Sequence, residues 1–205
     1  MTRRAPFSST SDATTDKSIV LVGMMGVGKT TVGRRLAPKL GLDFFDADEE
    51  IEKAAGMTVS DLFEAHGEES FRRGEAQVIE RLLSGDPIVL ATGGGAITQA
   101  STRALIRDRA FSIWLKADLD TVLERATRRS VRPLLKRGDA RATLERLMKE
   151  REAFYAAADI AIDSCTGPHA QTVSAILKAI DRAPLHGDAT DIETGADAGT
   201  DGTAP

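Results

Sequence analysis

Ser18-Ile19-Val20-Leu21-Val22-Gly23-Met24-Met25-Gly26-Val27-Gly28-Lys29-Thr30 is the stretch that decides how this chain folds. Its first five residues form an apolar run too short for a helix, and they read as a buried strand. Gly23 to Thr30 then matches G-x-x-x-x-G-K-[ST], and a segment with helical spacing, Lys29 to Leu40, follows directly. The glycines let the backbone curl so that successive N–H groups point at phosphate oxygens, and the helix adds its positive N-terminal end. Lys29 then reaches the β- and γ-phosphates of ATP, and Thr30 offers its hydroxyl to Mg²⁺. The nucleotide-binding set is Gly26, Val27, Gly28, Lys29, Thr30 and Thr31, with Mg²⁺ as cofactor and Thr30 as a ligand. The loop establishes phosphate handling and leaves the acceptor open.

Outward from this stretch, short apolar runs alternate with helical segments, an α/β signature. The other runs are Asp43 to Phe45, Pro87 to Ala91, Phe111 to Leu115 and Asp159 to Ile162. Continuous apolar runs imply five parallel strands with helices on both faces, a three-layer α/β/α arrangement. Helices are expected at about Lys29 to Leu40, Glu49 to Ala55, Val59 to Ala65, Glu68 to Leu83, Thr98 to Arg107, Leu119 to Arg128, Ala140 to Ala158 and His169 to Arg182. Thr58 or Ser60 can cap the third of these and Asp118 the sixth. Trp114 reads as a core residue of the fourth strand.

The 205 residues carry 27 Lys+Arg against 31 Asp+Glu. Five of those acids, Asp188, Asp191, Glu193, Asp197 and Asp201, fall in the last 22 residues. The body is therefore near neutral, which argues against a nucleic-acid binder held by bulk charge. No apolar run approaches the roughly 20 residues of a membrane span. Cys165 is the only cysteine, so an intrachain disulfide and a four-thiolate metal site are excluded, and a reducing cytoplasm fits. Residues 1–17 read as a disordered leader, 18–183 as one kinase domain and 184–205 as a disordered acidic tail.

Asp46 and Asp48 stand at i and i+2 at a strand's carboxyl end, where open α/β sheets bind ligands. On an extended segment both side chains point the same way, so one acid can hold a Mg²⁺ water while the other faces an acceptor hydroxyl. Capping of the following helix is the alternative use of either acid. In Phe71-Arg72-Arg73-Gly74-Glu75, Phe71 and Glu75 lie one helical turn apart and Arg72 falls on a different face. Thr92-Gly93-Gly94-Gly95-Ala96 is a second glycine run at a strand end, suited to close approach of backbone to a ligand. Arg125, Arg128, Arg129 and Arg132 lead into a Pro/Gly-bearing segment that reads as a flap over ATP.

Taken as an ordered set, these motifs resemble the shikimate kinase family, within the nucleoside-monophosphate-kinase-like group. The set is Gly23 to Thr30, Asp46-Ala47-Asp48, Phe71 to Glu75, Gly93-Gly94-Gly95, Val131-Arg132-Pro133-Leu134-Leu135, and Arg151 in Arg151-Glu152-Ala153-Phe154-Tyr155. The resemblance spans about Ser18 to Arg182. It implies strand order 2-3-1-4-5, substrate-binding helices near Glu49 to Leu83, a lid around Arg125 to Asp139, a monomer, and shikimate as acceptor. By position it implies that Asp48 contacts the ring hydroxyls as base or positioner, while Asp46 acts through Mg²⁺. Arg72 and Arg151 would clamp the substrate carboxylate, with guanidinium forks matching carboxylate geometry. Gly94 would approach the substrate through its backbone, Arg132 would stabilise phosphate charge, and Arg125 would lie against adenine. His66 and His169 have no matching role and are expected to be structural or exposed.

Two other readings use the same loop. A gluconate-kinase-like or nucleotide-kinase-like enzyme would share the fold, but it would not need paired arginines with a triglycine turn. An aromatic content of 4% offers little stacking surface for a second base. A nucleotide-dependent switch would have no use for a carboxylate beside the γ-phosphate.

Overall fold

The computed structural model describes residues 16–128, 139–164 and 167–182. Five parallel strands form one sheet in the order β2-β3-β1-β4-β5, with β1 (Ser18–Val22) at its centre. β3 (Ile88–Ala91) pairs with β1 through Ile19↔Val89 to Leu21↔Ala91, and β4 (Ala110–Lys116) flanks the other side through Ser18↔Ala110 to Val22↔Trp114. β1 and β3 are buried along their whole length, which is why both read as unbroken apolar runs. β2 (Asp43–Asp46) and β5 (Ile160–Asp163) are edges, and neither has a fully buried residue. Burial is therefore deepest in the central strands, while Phe44 and Phe45, on opposite faces of β2, are partly buried and both pack against the core.

α1 (Lys29–Leu40) buries Val32, Leu36 and Leu40, a stripe at i, i+4 and i+8, together with Gly33 and Ala37. α2 (Ala47–Ala55) and α3 (Val59–Leu82) pack on each other beyond the β2 edge. α3 is broken at Gly67 (φ 74°, ψ 169°), between the two helical segments expected there. Thr58 caps its start: the hydroxyl accepts the Asp61 N–H at 3.2 Å and donates to Asp61 Oδ2 at 2.7 Å. α4 (Ala100–Arg109) begins later than its periodicity suggests, because Ala96–Thr98 forms a 3-10 turn first. Asp118 Oδ1 accepts the Thr121 N–H at the start of α5 (Leu119–Arg128), at 2.7 Å.

α6 (Ala140–Tyr155) stops three residues before the expected Ala158. Asp159 draws the chain toward β5, since its Oδ2 accepts from the Ser112 N–H and hydroxyl at 2.7 and 2.6 Å. α7 (His169–Ile180) closes the described chain against α1. Trp114 is half-buried on β4 and stacks on Tyr155 with centroids 5.9 Å apart. From β1 the chain leaves toward β2, and from β3 it leaves the opposite way toward β4. A crevice opens at the carboxyl ends of these adjacent strands, which is where such sheets hold ligands.

Candidate active site

The loop leaving β1 turns on Gly26 (φ 84°) and Gly28 (φ 99°), left-handed conformations that side-chain-bearing residues avoid. This turn delivers Lys29 as the first residue of α1. Its buried side chain bends back across the loop, and Nζ donates to Gly23 O at 2.6 Å and Met24 O at 2.9 Å. The ammonium is thereby held over the loop whose N–H groups face the phosphates.

Thr30 Oγ1 donates to Asp46 Oδ2 at 2.7 Å, joining residues sixteen positions apart. Asp46 Oδ1 accepts the Asp48 N–H at 3.0 Å and so caps α2. The expected extended Asp46-Ala47-Asp48 segment is thus corrected: the helix begins at Ala47, and Asp48 sits in its first turn. Capping and site geometry are not alternatives for Asp46, because each carboxylate oxygen serves one. Among the described residues no three His, Cys, Asp or Glu side chains gather to hold a metal unaided. A hydroxyl and one carboxylate, with phosphate oxygens completing the sphere, suit Mg²⁺, a hard ion bound through few protein oxygens. Thr30 and Asp46 fit that ion.

Gly26, Gly28, Lys29, Thr30, Thr31, Asp46, Asp48, Gly94 and Arg125 all line one cleft with a cavity volume of about 290 Å³. Val27 contributes its carbonyl behind the cleft, where it accepts from Ser164 Oγ at 3.0 Å. Arg125 Nη1 reaches the same carbonyl at 3.4 Å and Ser164 O at 3.0 Å. The arginine therefore ties α5 to the phosphate loop and to the turn after β5. Arg132, with Arg129 and most of the expected lid, lies outside the described residues.

Opposite the phosphate loop, each glycine of the Gly93–Gly95 turn has a different neighbour where a Cβ would stand. At Gly93 that atom would lie 2.6 Å from Glu75 Oε1 and 2.9 Å from Asp48 Oδ1. At Gly94 it would press on the Met25 N–H nitrogen at 3.1 Å, and at Gly95 it would fall 2.1 Å from Arg72 Nη2. The Gly94 carbonyl accepts from Arg151 Nη1 at 3.0 Å and from the Tyr155 hydroxyl at 2.5 Å. Arg72 and Arg151, seventy-nine positions apart in sequence, thus meet the same three-residue turn.

Arg72 is buried and does not point away from Glu75 as its helical position suggested. Its Nη1 donates to Glu75 Oε2 at 2.6 Å, an i, i+3 pair, and Nη2 reaches Glu68 Oε1 at 3.3 Å. The guanidinium lies over the rings of Phe63 and Phe71, 5.5 and 5.3 Å from their centroids. Burial pushes the Glu75 carboxyl up from its ordinary range; the Arg72 charge and hydrogen bond oppose that shift, and the Asp48 charge adds to it. Burial also pushes the Tyr155 phenol up to about 12, although the Arg151 cation pulls the other way. Tyr155 is therefore a neutral hydroxyl donor at physiological pH.

Four residues of this site escaped the sequence reading. Glu75 and Tyr155 stood inside quoted motifs, and their i+3 and i+4 offsets from Arg72 and Arg151 were the available signal. Thr92 lines the cleft beside the glycine run. His169, expected to be structural or exposed, instead lines the cleft with its ring against Gly28: Cε1 lies 2.9 Å from where a Gly28 Cβ would be. Only the fold brings the start of α7 to the phosphate loop, so sequence spacing carried no sign of it. His66 is exposed on α3, as expected.

A family model described as Shikimate kinase matches residues 25–181. A shikimate kinase of Bradyrhizobium diazoefficiens is 55% identical over 172 residues, covering 84% of this chain and 83% of its own. Among solved structures, a shikimate kinase from Acinetobacter baumannii in complex with shikimate superposes with a TM-score of 0.81 at 39% identity, over 85% of this chain and 97% of that one. A gluconokinase from Sinorhizobium meliloti has a TM-score of 0.58 at 18% identity, over 82% and 94% of the two chains, a likeness of fold alone.

Proposed function

The chain belongs to the shikimate kinase family, and on that premise we propose how its residues divide the transfer of the ATP γ-phosphoryl group to the 3-hydroxyl of shikimate. The enzyme is an ATP-dependent phosphotransferase that yields shikimate 3-phosphate and ADP. The observation that best supports the division of labour is the Gly93–Gly95 turn. Its three glycines meet Asp48 with Glu75 at Gly93, the Lys29-bearing loop and Arg151 at Gly94, and Arg72 at Gly95.

In this reading Gly26, Val27, Gly28, Lys29, Thr30 and Thr31 cradle the nucleotide phosphates, and Arg125 borders the nucleotide from α5. Thr30 and Asp46, joined by their hydrogen bond, are the residues that would hold Mg²⁺, Thr30 through its hydroxyl and Asp46 through a bound water. That ion, when bound, neutralises charge on the phosphate oxygens. Arg72 and Arg151 fix the shikimate carboxylate, and the Gly94 backbone forms the wall beside it. A carboxylate held at one end of the ring orients the hydroxyl at the other toward Asp48, which accepts or orients its proton. Lys29, with Arg132 from the lid, stabilises charge on the phosphoryl group during in-line transfer. The rate gain then comes from positioning and electrostatics, with no covalent enzyme intermediate. We further place this activity in the cytoplasm and in a monomer; among the described residues no helix is long and apolar enough to cross a membrane.

Replacing Arg72 by Ala tests the clamp. The shikimate KM should rise far more than the ATP KM, because only the acceptor's carboxylate loses its partner. Steady-state kinetics with each substrate varied in turn reads this, and equal effects on both constants would remove the clamp role.

A further inference from the structure

Glu75 has no task in the transfer described above, yet it is 1% exposed and lies at the centre of the acceptor cluster. Its Oε2 is committed to Arg72 Nη1. Its Oε1 is buried with no hydrogen-bond partner among the described residues, and the same holds for Arg72 Nε. Oε1 shares the face of Gly93 with Asp48 Oδ1: the two oxygens lie 2.6 and 2.9 Å from the point a Gly93 Cβ would occupy. Two carboxylates therefore converge on one glycine, and only one oxygen of Glu75 is satisfied.

Among the described residues, the charges around Glu75 come from three elements. α3 supplies Arg72 and, from the surface side, Glu68; α2 supplies Asp48; α6 supplies Arg151 and the neutral phenol of Tyr155. The glycine turn supplies none. Among the described residues the cations that act on Glu75 are Arg72 and Arg151. An acceptor carboxylate seated between the arginines draws on the same two cations and adds a negative charge beside Glu75. Unbalanced charge in a buried site is relieved most readily by protonating the group that already holds its charge least well. Glu75 is such a group, since burial and the Asp48 charge disfavour its ionised form against the opposing Arg72 charge and hydrogen bond.

We infer that binding of the acceptor carboxylate is coupled to uptake of one proton by Glu75, carried on Oε1 toward Asp48. The inference rests on the Arg72–Arg151 clamp. Bound acceptor, the proton and Glu75 carboxylate give bound acceptor and Glu75 carboxylic acid, so charge balances with solvent as the proton source. The new O–H supplies a donor where Oε1 now has none, and Asp48 supplies the acceptor. Arg72 is then released from its tight pairing with Glu75 and can turn its charge to the substrate. The sign follows from linkage. Below the acceptor-free Glu75 pKa the proton is already present and affinity is flat. Between the acceptor-free and acceptor-bound values affinity falls as pH rises, and above the bound value it is flat and weakest.

Isothermal titration calorimetry of the full chain with shikimate, in phosphate and Tris buffers of equal pH, counts the proton. The observed enthalpy should change with buffer ionisation enthalpy by an amount corresponding to uptake of up to about one proton, and within the window the Kd should rise by up to about tenfold per pH unit. In Glu75→Gln the dependence on buffer should vanish while shikimate still binds. Absence of any buffer dependence in the wild type at every pH from about 5 to 8, with shikimate bound, overturns the inference; so does an undiminished dependence in Glu75→Gln. Should that variant not fold, the wild-type dependence alone decides. Arg72→Ala separates the two levels: unchanged shikimate affinity there removes the clamp and this inference with it, whereas weakened affinity in that variant with no buffer dependence in the wild type removes only the inference.

Discussion

Two glycine turns face each other across the cleft, and they use glycine for different reasons. In the phosphate loop Gly26 and Gly28 adopt φ of 84° and 99°, so glycine is there for the shape of the backbone itself. In the Gly93–Gly95 turn Gly95 has φ −102°, which any residue adopts. Glycine is there because Arg72, Glu75, Asp48 and the phosphate loop occupy the space a side chain would need. The first turn is a local device, complete within eight residues. The second is a meeting point for α2, α3, α6 and the loop after β1, and it works only once all of them have packed. In the proposed reading one region handles phosphate, and the other recognises the acceptor.

Four substitutions probe that division. Lys29→Ala removes the cation held over the phosphate loop, and kcat should fall by roughly two to three orders of magnitude, the usual cost of losing one preorganised charge-stabilising group. Shikimate affinity measured without nucleotide should stay within about twofold; a large loss would mean that the two regions are not separable. Gly95→Ala should act in the opposite sense. Its Cβ displaces the Arg72 guanidinium, so the shikimate KM should rise by about tenfold or more, as expected when a charged hydrogen-bonding group is misplaced. The ATP KM should be unmoved, whereas Gly28→Ala, strained by its φ and by His169, should raise the ATP KM first. Tyr155→Phe has the smallest expected effect. It removes one donor from the Gly94 carbonyl, about 1 kcal/mol, and should lower Tm by roughly 2–4 °C with kcat nearly unchanged. A large kcat loss in that variant would show that the turn's exact position, rather than its charge partners, governs the chemistry.

The same contrast explains what could be read before the structure. Gly23 to Thr30 was legible because strand, loop and helix are consecutive, and β1, α1 and α5 carry their predicted bounds unchanged. The acceptor region was legible only as separate motifs. Arg72 was placed on a different face from Glu75 because helical periodicity does not say which i, i+3 neighbours will be buried together. Asp48 lies in a helix rather than on an extended segment because Asp46, two residues earlier, ends β2 and accepts the Asp48 N–H, a cap that spacing alone does not show. His169 could not be found at all, since its place beside Gly28 depends on α7 docking against α1.

In the proposed division the Arg72–Gly95–Arg151 region selects a hydroxylated carboxylic acid for the phosphoryl group that the Gly23–Thr30 loop delivers. Its most direct test is ADP release by the full-length chain with Mg²⁺ and ATP, offered shikimate, gluconate or a nucleoside monophosphate in parallel. Strong stimulation by shikimate, with gluconate and the nucleotide near the acceptor-free rate, is the predicted result. Equal stimulation by all three, or none by any while ATP still binds, would contradict it.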